Sequence, residues 1–160
     1  MAPVVSIRLA EPPEAAALAA LSTRSFDSDV EVGAPGPGGP PGYDDPGWQL
    51  RMMRAADYYC ILVDGALAGA AIVRDASEGE QELGRFFLDP QWHRSGVGTR
   101  ALALVMERYP QTRRWILDTP AWNPRTRAFY EALGFSPYGT LQLEDGPLLV
   151  LYEKQADRLF

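Results

Sequence analysis

The hydrophobic residues of the chain follow two spacings, one typical of strands and one typical of helices. Short apolar or alternating runs predict seven strands, at residues 4–9, 58–63, 67–73, 82–88, 115–117, 138–143 and 148–152. Helical signals predict four helices, which begin near Pro12, Pro46, Gly96 and Pro124. The resulting order is βααβββαβαββ, and the fold class is α/β, a mixed sheet with helices packed on it.

A strand, a short loop and a Gly-x-Gly turn follow one another over residues 86–99. Pro90 ends the apolar strand, and the apolar stripe of a helix begins at Gly96-Val97-Gly98. Glycines at a helix start let backbone N–H groups approach a ligand closely, and these N–H groups have no partner inside the helix. The segment therefore predicts a phosphate-binding loop; the alternative is a loop that only turns the chain.

Two nucleotide-binding motifs compete for this loop. A P-loop requires Gly-Lys-Ser/Thr after four spacer residues, which the chain lacks. A Rossmann fingerprint fits better, because residues 96–101 match G-x-G-x-x-A and Asp118 lies 20 residues after Gly98. It is disfavoured because residues 90–95 separate the glycines from their strand and too little chain remains for a dinucleotide fold.

A second helix with clear start and stop signals follows the predicted strand at residues 115–117. Asn123 is a suitable N-cap, Pro124 a suitable first helical residue and Gly134 a suitable stop. Asn123 and Tyr130 share neighbouring faces of this helix, so we expect the Tyr130 hydroxyl to point where the Asn123 amide points. The alternative for Tyr130 is a packed helix aromatic.

Together the two segments resemble the GNAT superfamily of N-acetyltransferases. The family pattern has a strand ending in hydrophobic-x-Pro, then Arg/Gln-x-x-Gly-x-Gly/Ala opening a helix, and later Asn followed by Phe-Tyr-x-x-x-Gly-Phe. Leu88-Asp89-Pro90, Gly96-Val97-Gly98 and residues 123–135 match this pattern. The resemblance covers nearly the whole chain and implies one acyl-CoA N-acyltransferase domain over residues 1–160, with a splayed central sheet.

The resemblance implies acetyl-CoA as cosubstrate. The residues that it assigns to cofactor binding are Phe86, Phe87, Leu88, His93, Arg94, Ser95, Gly96, Val97, Gly98, Thr99, Asn123 and Tyr130. His93 stands where the family usually has Arg or Gln. A histidine still donates to a pyrophosphate, and such a contact would make cofactor affinity mildly pH-dependent. His93 is also a candidate base, but its position in the family pattern places it at the phosphates.

The family reaction is direct transfer of the acetyl group to a primary amine in a ternary complex. Family geometry assigns the oxyanion donor to backbone N–H groups near Phe87 and Leu88. The acid that protonates the departing thiolate is predicted to be Tyr130.

Glu82 is the predicted base, acting directly or through water, because several family members carry a catalytic glutamate on this strand. The alternative for Glu82 is a solvated carboxylate at the end of a strand. Asp118 and Glu80 are the fallback candidates. Strand alternation is expected to place on one side of the sheet Glu82, Gly84, Phe86 and Leu88.

Residues 33–42 are rich in Gly and Pro and form neither a helix nor the interior of a sheet. We expect the loop 33–45 to be either a substrate-side binding loop or disordered. Tyr43, Asp44 and Asp118 are the predicted substrate-binding residues. Tyr43 follows the loop together with two acids, Asp44 and Asp45, and this combination suits a cationic amine. The alternative is a plain helix start with Asp45 as its N-cap.

The net charge of −6 and the pI near 4.8 argue against a nucleic-acid partner and are compatible with a cationic amine. The single cysteine, Cys60, and the single histidine exclude an internal disulfide and a Cys/His metal site, so no metal is expected. No apolar run reaches the length of a membrane span, and no signal stretch is found. We therefore expect no membrane partner and a cytoplasmic location.

The sequence thus predicts an N-acetyltransferase that acts on a primary amine of a small cationic molecule. Two alternatives stay open: a coenzyme A-binding regulatory module without turnover, and a peptide or protein N-acetyltransferase. The resemblance alone suggests a homodimer.

Overall fold

A computed structural model describes residues 2–156, so residue 1 and residues 157–160 of the predicted domain lie outside the described residues. The strands are β1 Val5–Leu9, β2 Asp57–Val63, β3 Ala66–Ser77, β4 Glu80–Leu88, β5 Arg114–Pro120, β6 Ser136–Gln142 and β7 Leu148–Gln155. The α-helices are α1 Ala15–Asp27, α2 Pro46–Ala55, α3 Val97–Glu107 and α4 Pro124–Ala132. Within residues 2–156, none of the helices has the length and apolarity needed to cross a membrane.

The strands form one sheet in the order β1-β2-β3-β4-β5-β7-β6. Every neighbouring pair is antiparallel except β4 and β5. One face is covered by α1 and α2, and its core includes Leu18, Tyr58, Ile72 and Phe87. The other face is covered by α3 and α4, and its core includes Val97, Ala101, Trp115 and Tyr152. We call them the α1–α2 face and the α3–α4 face. The predicted fold class and element order are confirmed.

Side-chain caps begin α2 and α4 where the sequence predicts. The Asp45 carboxylate accepts a hydrogen bond from the Gly47 N–H at 2.8 Å. The Asn123 Oδ1 accepts from the Arg125 and Thr126 N–H groups at 3.1 and 3.2 Å. Because these caps satisfy N–H groups that a helix leaves unpaired, they fix the residue at which each helix begins.

β4 and β5 pair over only three positions, namely Glu80 with Arg114, Gln81 with Trp115 and Glu82 with Ile116. Beyond these pairs the two strands separate, although β4 continues to Leu88 and β5 to Pro120. The separation leaves one backbone edge of β4 without a strand partner and opens the sheet near its centre. The predicted splay is therefore present.

Candidate active site

A cleft of about 620 Å³ lies at the open end of the sheet, where β4 has left β5. Its walls come from the end of α1 with the 3-10 turn Ser28–Val32, the end of β4, the loop before α3, and α4. Its lining is mostly apolar, and the larger apolar side chains are Phe26, Phe86, Phe87, Leu88, Trp92, Phe129 and Tyr130. A mostly apolar cleft with a few polar groups suits an elongated ligand with an apolar stem.

Of the predicted cofactor-binding residues, most line this cleft: Phe86, Phe87, Leu88, His93, Arg94, Gly96, Gly98, Thr99 and Tyr130. The other three support the structure around it. The Ser95 Oγ accepts from the Val97 N–H at 3.3 Å, and Val97 is in the core. Asn123 is 2% exposed and uses its Oδ1 to cap α4. The structure thus gives the Asn123 amide a capping role, and its expected placement beside the Tyr130 hydroxyl stays a prediction.

The loop before α3 supplies several backbone donors. Arg94, at φ 59°, and Gly96, at φ 85°, both have left-handed backbone conformations. The Arg100 N–H donates to the Gly96 carbonyl at 3.2 Å. The N–H groups of Gly98 and Thr99 come before this first intrahelical bond and have no acceptor inside the helix. Donors grouped at a helix start in this way favour an anionic ligand.

Gly98 lets α3 approach α4 and the end of β4. A Cβ at this position would lie 3.1 Å from the Phe129 ring and 3.4 Å from the Leu88 side chain. Phe129 is itself stacked on Phe86, with ring centroids 5.8 Å apart. The ring has little room to retreat, so this glycine sets the spacing of the three elements.

His93 is bonded to the protein. Its Nε2 lies 3.1 Å from the Leu88 carbonyl oxygen, and Nε2 carries the proton because a carbonyl oxygen only accepts. Burial lowers the pKa of His93, and the positive charge of Arg125 lowers it further, so the ring is neutral at pH 7. His93 holds the loop on the end of β4, while its contact with a pyrophosphate stays a prediction.

Tyr130 is the buried residue of α4. Its ring meets Phe129 and Phe135 edge to face, with centroids 5.1 and 5.8 Å away. The residue lines the cleft, and its hydroxyl has no hydrogen-bond partner among the described residues. Burial raises the pKa of Tyr130 well above its usual range, and the charge of Asp118 adds to the rise. The hydroxyl therefore keeps its proton and is available to a ligand.

β4 contains a β-bulge at Gly84. In the pairing with β3, Ile72 lies opposite Arg85 and Val73 lies opposite Leu83, so Gly84 is the extra residue. A bulge of this kind interrupts the alternation of side chains along a strand.

Glu82 lies on the α1–α2 face, and the bulge changes which of the later β4 residues share that face. Glu82 forms an ion pair with Arg74 of β3. Phe87 joins the core of the same face, whereas Phe86 and Leu88 pack with the core of the opposite face. The prediction that Glu82 shares a side with Phe86 and Leu88 is therefore wrong, because one extra residue reverses the alternation.

Asp118 lies on this face of β5, two residues beyond Ile116, the partner of Glu82 in the parallel pair. Trp115 and Leu117 belong to the core of the α3–α4 face, so Asp118 points to the other side. Desolvation raises the pKa of Asp118, and the negative charge of Glu82 raises it further. Two predicted carboxylates thus come together where the strands diverge.

Glu80 is placed differently. Its carboxylate accepts hydrogen bonds from the Ser77 hydroxyl at 2.5 Å and from Arg114 at 2.9 Å. Both hydrogen bonds lower the pKa of Glu80, and the bond from Ser77 has the larger effect. A carboxylate held in this way is a poor proton acceptor.

The Gly/Pro-rich loop folds over β4 on the α1–α2 face. The Arg85 Nη2 donates to the Pro41 carbonyl oxygen at 2.7 Å. The Tyr43 hydroxyl donates to Asp27 of α1 at 3.0 Å, and Asp44 is exposed. The loop thus has defined contacts with β4 and α1, and the substrate-binding role of Tyr43 and Asp44 stays a prediction.

Three charged residues of this region were not among the sequence-based candidates: Arg85, Asp29 and Arg125. The last two form an ion pair at 2.7 Å between two walls of the cleft. Arg125 follows a helix-opening proline, which is a weak signal. Asp29 and Arg85 carry none, because their partners are 96 and 44 residues away along the chain.

The acetyltransferase (GNAT) family profile matches residues 24–135. Among curated proteins, the chain is 36% identical over 73 residues to YrkN of Bacillus subtilis, an uncharacterized protein. That match spans 45% of this chain and 40% of the length of YrkN.

Solved structures share the fold over nearly the whole chain. The PaiA N-acetyltransferase of Thermoplasma acidophilum, in complex with coenzyme A, has a TM-score of 0.77 at 15% identity, covering 96% of this chain and 99% of that one. A ribosomal-protein alanine N-acetyltransferase of Escherichia coli has a TM-score of 0.71 at 17% identity, covering 98% and 99%. Since the family profile covers well over half of its residues and both predicted motifs fall within the match, the chain belongs to the acetyltransferase (GNAT) family.

Proposed function

We propose that the protein transfers an acetyl group from acetyl-CoA to the primary amine of a small molecule, by direct attack in a ternary complex. The observation that carries the proposal is the separation of β4 from β5 beyond Glu82, beside a cleft lined by Tyr130. Family membership supports the reaction class, and the PaiA N-acetyltransferase, which shares the fold, was solved with coenzyme A.

The residues of the cleft fit a thioester of coenzyme A. Unpaired N–H groups in residues 94–99 suit its pyrophosphate, and the apolar wall of Phe86, Leu88 and Phe129 suits its pantetheine stem. The unpaired edge of β4 offers backbone N–H donors to a thioester carbonyl, where negative charge develops during attack.

Tyr130 would act as the acid for the departing thiolate. Its hydroxyl is protonated and free of other partners among residues 2–156. The raised pKa makes the phenol a weaker acid than an exposed tyrosine, although the same cleft also disfavours an uncompensated thiolate. Its contribution should therefore fall at the low end of the ~10²–10⁴-fold range for proton transfer.

Asp118 would accept the proton of the incoming ammonium group. Its pKa is raised above that of an unperturbed aspartate, which makes it a better base than an ordinary aspartate side chain. Because Glu82 already forms an ion pair with Arg74, we assign it the role of raising the pKa of Asp118 rather than the role of the base. The two carboxylates together also favour an ammonium-bearing acceptor over a neutral one.

The test is the release of free thiol from acetyl-CoA with a panel of small amines, amino acids and a peptide with a free N-terminus. We expect at least one small amine to raise the rate of thiol release above the rate measured without an acceptor. Binding of acetyl-CoA without thiol release from any acceptor would instead identify a regulatory module. Release with the peptide alone would identify a peptide N-acetyltransferase.

A further inference from the structure

Arg85 is a half-buried cation without an ionic partner. Its Nη2 donates to the Pro41 carbonyl oxygen at 2.7 Å, and its guanidinium lies 4.2 Å from the centre of the Trp48 ring. Arg85 forms no salt bridge with any of residues 2–156, whereas Arg74 on the same face is paired with Glu82. Among the described residues, no carboxylate therefore lies within ion-pair distance of its positive charge.

The other donors of this guanidinium are accessible. Among the described residues, the Ser22 hydroxyl is the one fully buried side-chain polar group without a hydrogen-bond partner. The N–H groups of Arg85 that have no partner are therefore not fully buried, and they reach solvent. Desolvation lowers the pKa of Arg85 to about 10, which leaves the group charged at neutral pH. A half-buried, unpaired guanidinium favours a planar anion that accepts two hydrogen bonds, such as a carboxylate.

Arg85 also lies on the face that carries the proposed base. The bulge at Gly84 brings it to the same side of β4 as Glu82, and the charge of Asp118 acts on it. Opposite charges thus flank the point at which β4 and β5 diverge.

We infer that the acetyl acceptor is a primary amine that also carries a carboxylate, as an amino acid does. Asp118 and Glu82 receive its ammonium group, and Arg85 receives its carboxylate. The inference rests on the proposed function. It narrows the expected class of acceptor from any small cationic amine to a zwitterionic one.

Arg85 also fastens the Gly/Pro-rich loop to β4, so a loss of activity on its own does not identify a substrate contact. Arg85→Gln keeps an N–H donor for the Pro41 carbonyl and removes the charge. Arg54→Gln, at an exposed position of α2, is the matched control.

The experiment measures thiol release with amino acids of acidic, basic and apolar side chain, each paired with its α-amide. The wild type should prefer the free acid by about tenfold or more in kcat/KM, as expected for a charge-assisted pair. Arg85→Gln should raise KM for the acid by a similar factor, and it should leave KM for the amide and the Kd for acetyl-CoA within about twofold. Arg54→Gln should change neither.

Equal use of acid and amide by the wild type, or an equal loss for both with Arg85→Gln, would overturn the inference and leave acetyl transfer intact. A preference for the amide, which mimics a peptide N-terminus, would also overturn it. Absence of thiol release from every amine, with acetyl-CoA bound, would contradict the proposed function as well.

Discussion

The Arg125 guanidinium of α4 donates to the Asp29 carboxylate at 2.7 Å, and this ion pair joins two walls of the cleft. The side chains are only 20% and 14% exposed. Desolvation is nevertheless the largest influence on Asp29 and raises its pKa despite the guanidinium. The ion pair therefore contributes less stabilising free energy than its short distance suggests, because much of the attraction between the charges only offsets their loss of hydration.

A double-mutant cycle with Asp29→Asn and Arg125→Gln should give a coupling free energy of about 1–2 kcal/mol, between the values for exposed and buried pairs. Urea unfolding of the wild type and the three variants measures it. The control is the exposed pair of Asp45 and Arg51, 3.8 Å apart, for which Asp45→Asn retains the cap and the coupling should be below about 0.5 kcal/mol. Equal coupling in the two cycles would mean that the cleft pair is an ordinary surface contact.

Tyr130→Phe should lower kcat about 10²-fold, because the variant keeps the ring and loses the proton donor. KM for acetyl-CoA should stay within about twofold, since the hydroxyl acts on the leaving thiolate. Steady-state thiol release measures both constants, and Tyr138→Phe, on the exposed ring of β6, is the control. Unchanged turnover in Tyr130→Phe with coenzyme A still bound would remove Tyr130 as the acid.

The acid limb of the pH profile of kcat/KM should follow Asp118. The negative charge of Glu82 raises the pKa of Asp118, so Glu82→Gln should lower that pKa and keep the base ionised to lower pH. The limb should move toward acid in Glu82→Gln, and Asp118→Asn should reduce activity at every pH. A Glu82→Gln profile that overlays the wild type would show that Glu82 does not act on the base.

Gly96 and Gly98 should respond differently to alanine. Gly96 has a left-handed backbone with open space around it, so Gly96→Ala should cost about 1–2 kcal/mol of unfolding free energy through backbone strain. Gly98→Ala instead places a methyl group 3.1 Å from Phe129, which should cost about 1–3 kcal/mol and move α3 away from α4. Denaturant unfolding and acetyl-CoA titration measure both effects. Wild-type stability and affinity in Gly98→Ala would contradict the close packing described for this helix pair.

The sequence predicts the order of helices and strands because periodicity and caps are local signals. Asp45 and Asn123 cap α2 and α4 as expected, and the Gly-x-Gly turn opens α3. The glycines and Tyr130 could be assigned to the cleft because they belong to motifs with fixed spacing.

The face occupied by Glu82 could not be predicted from alternation. A bulge adds one residue to a strand, and a lone Gly84 does not distinguish a bulge from a regular strand. Arg85 and Asp29 could not be predicted either, because their partners lie far away along the chain. Their partners are brought close only when the Gly/Pro-rich loop packs against β4 and α4 packs against the 3-10 turn Ser28–Val32.

Calorimetric titration with acetyl-CoA, with NADH as the control, tests most directly whether the cleft at the separated end of β4 and β5 is a coenzyme A thioester site. We expect one molecule of acetyl-CoA to bind per chain with a Kd in the micromolar range, weakened in Gly98→Ala, and no binding of NADH. Folded protein that binds neither nucleotide, or binds both equally, would contradict the account.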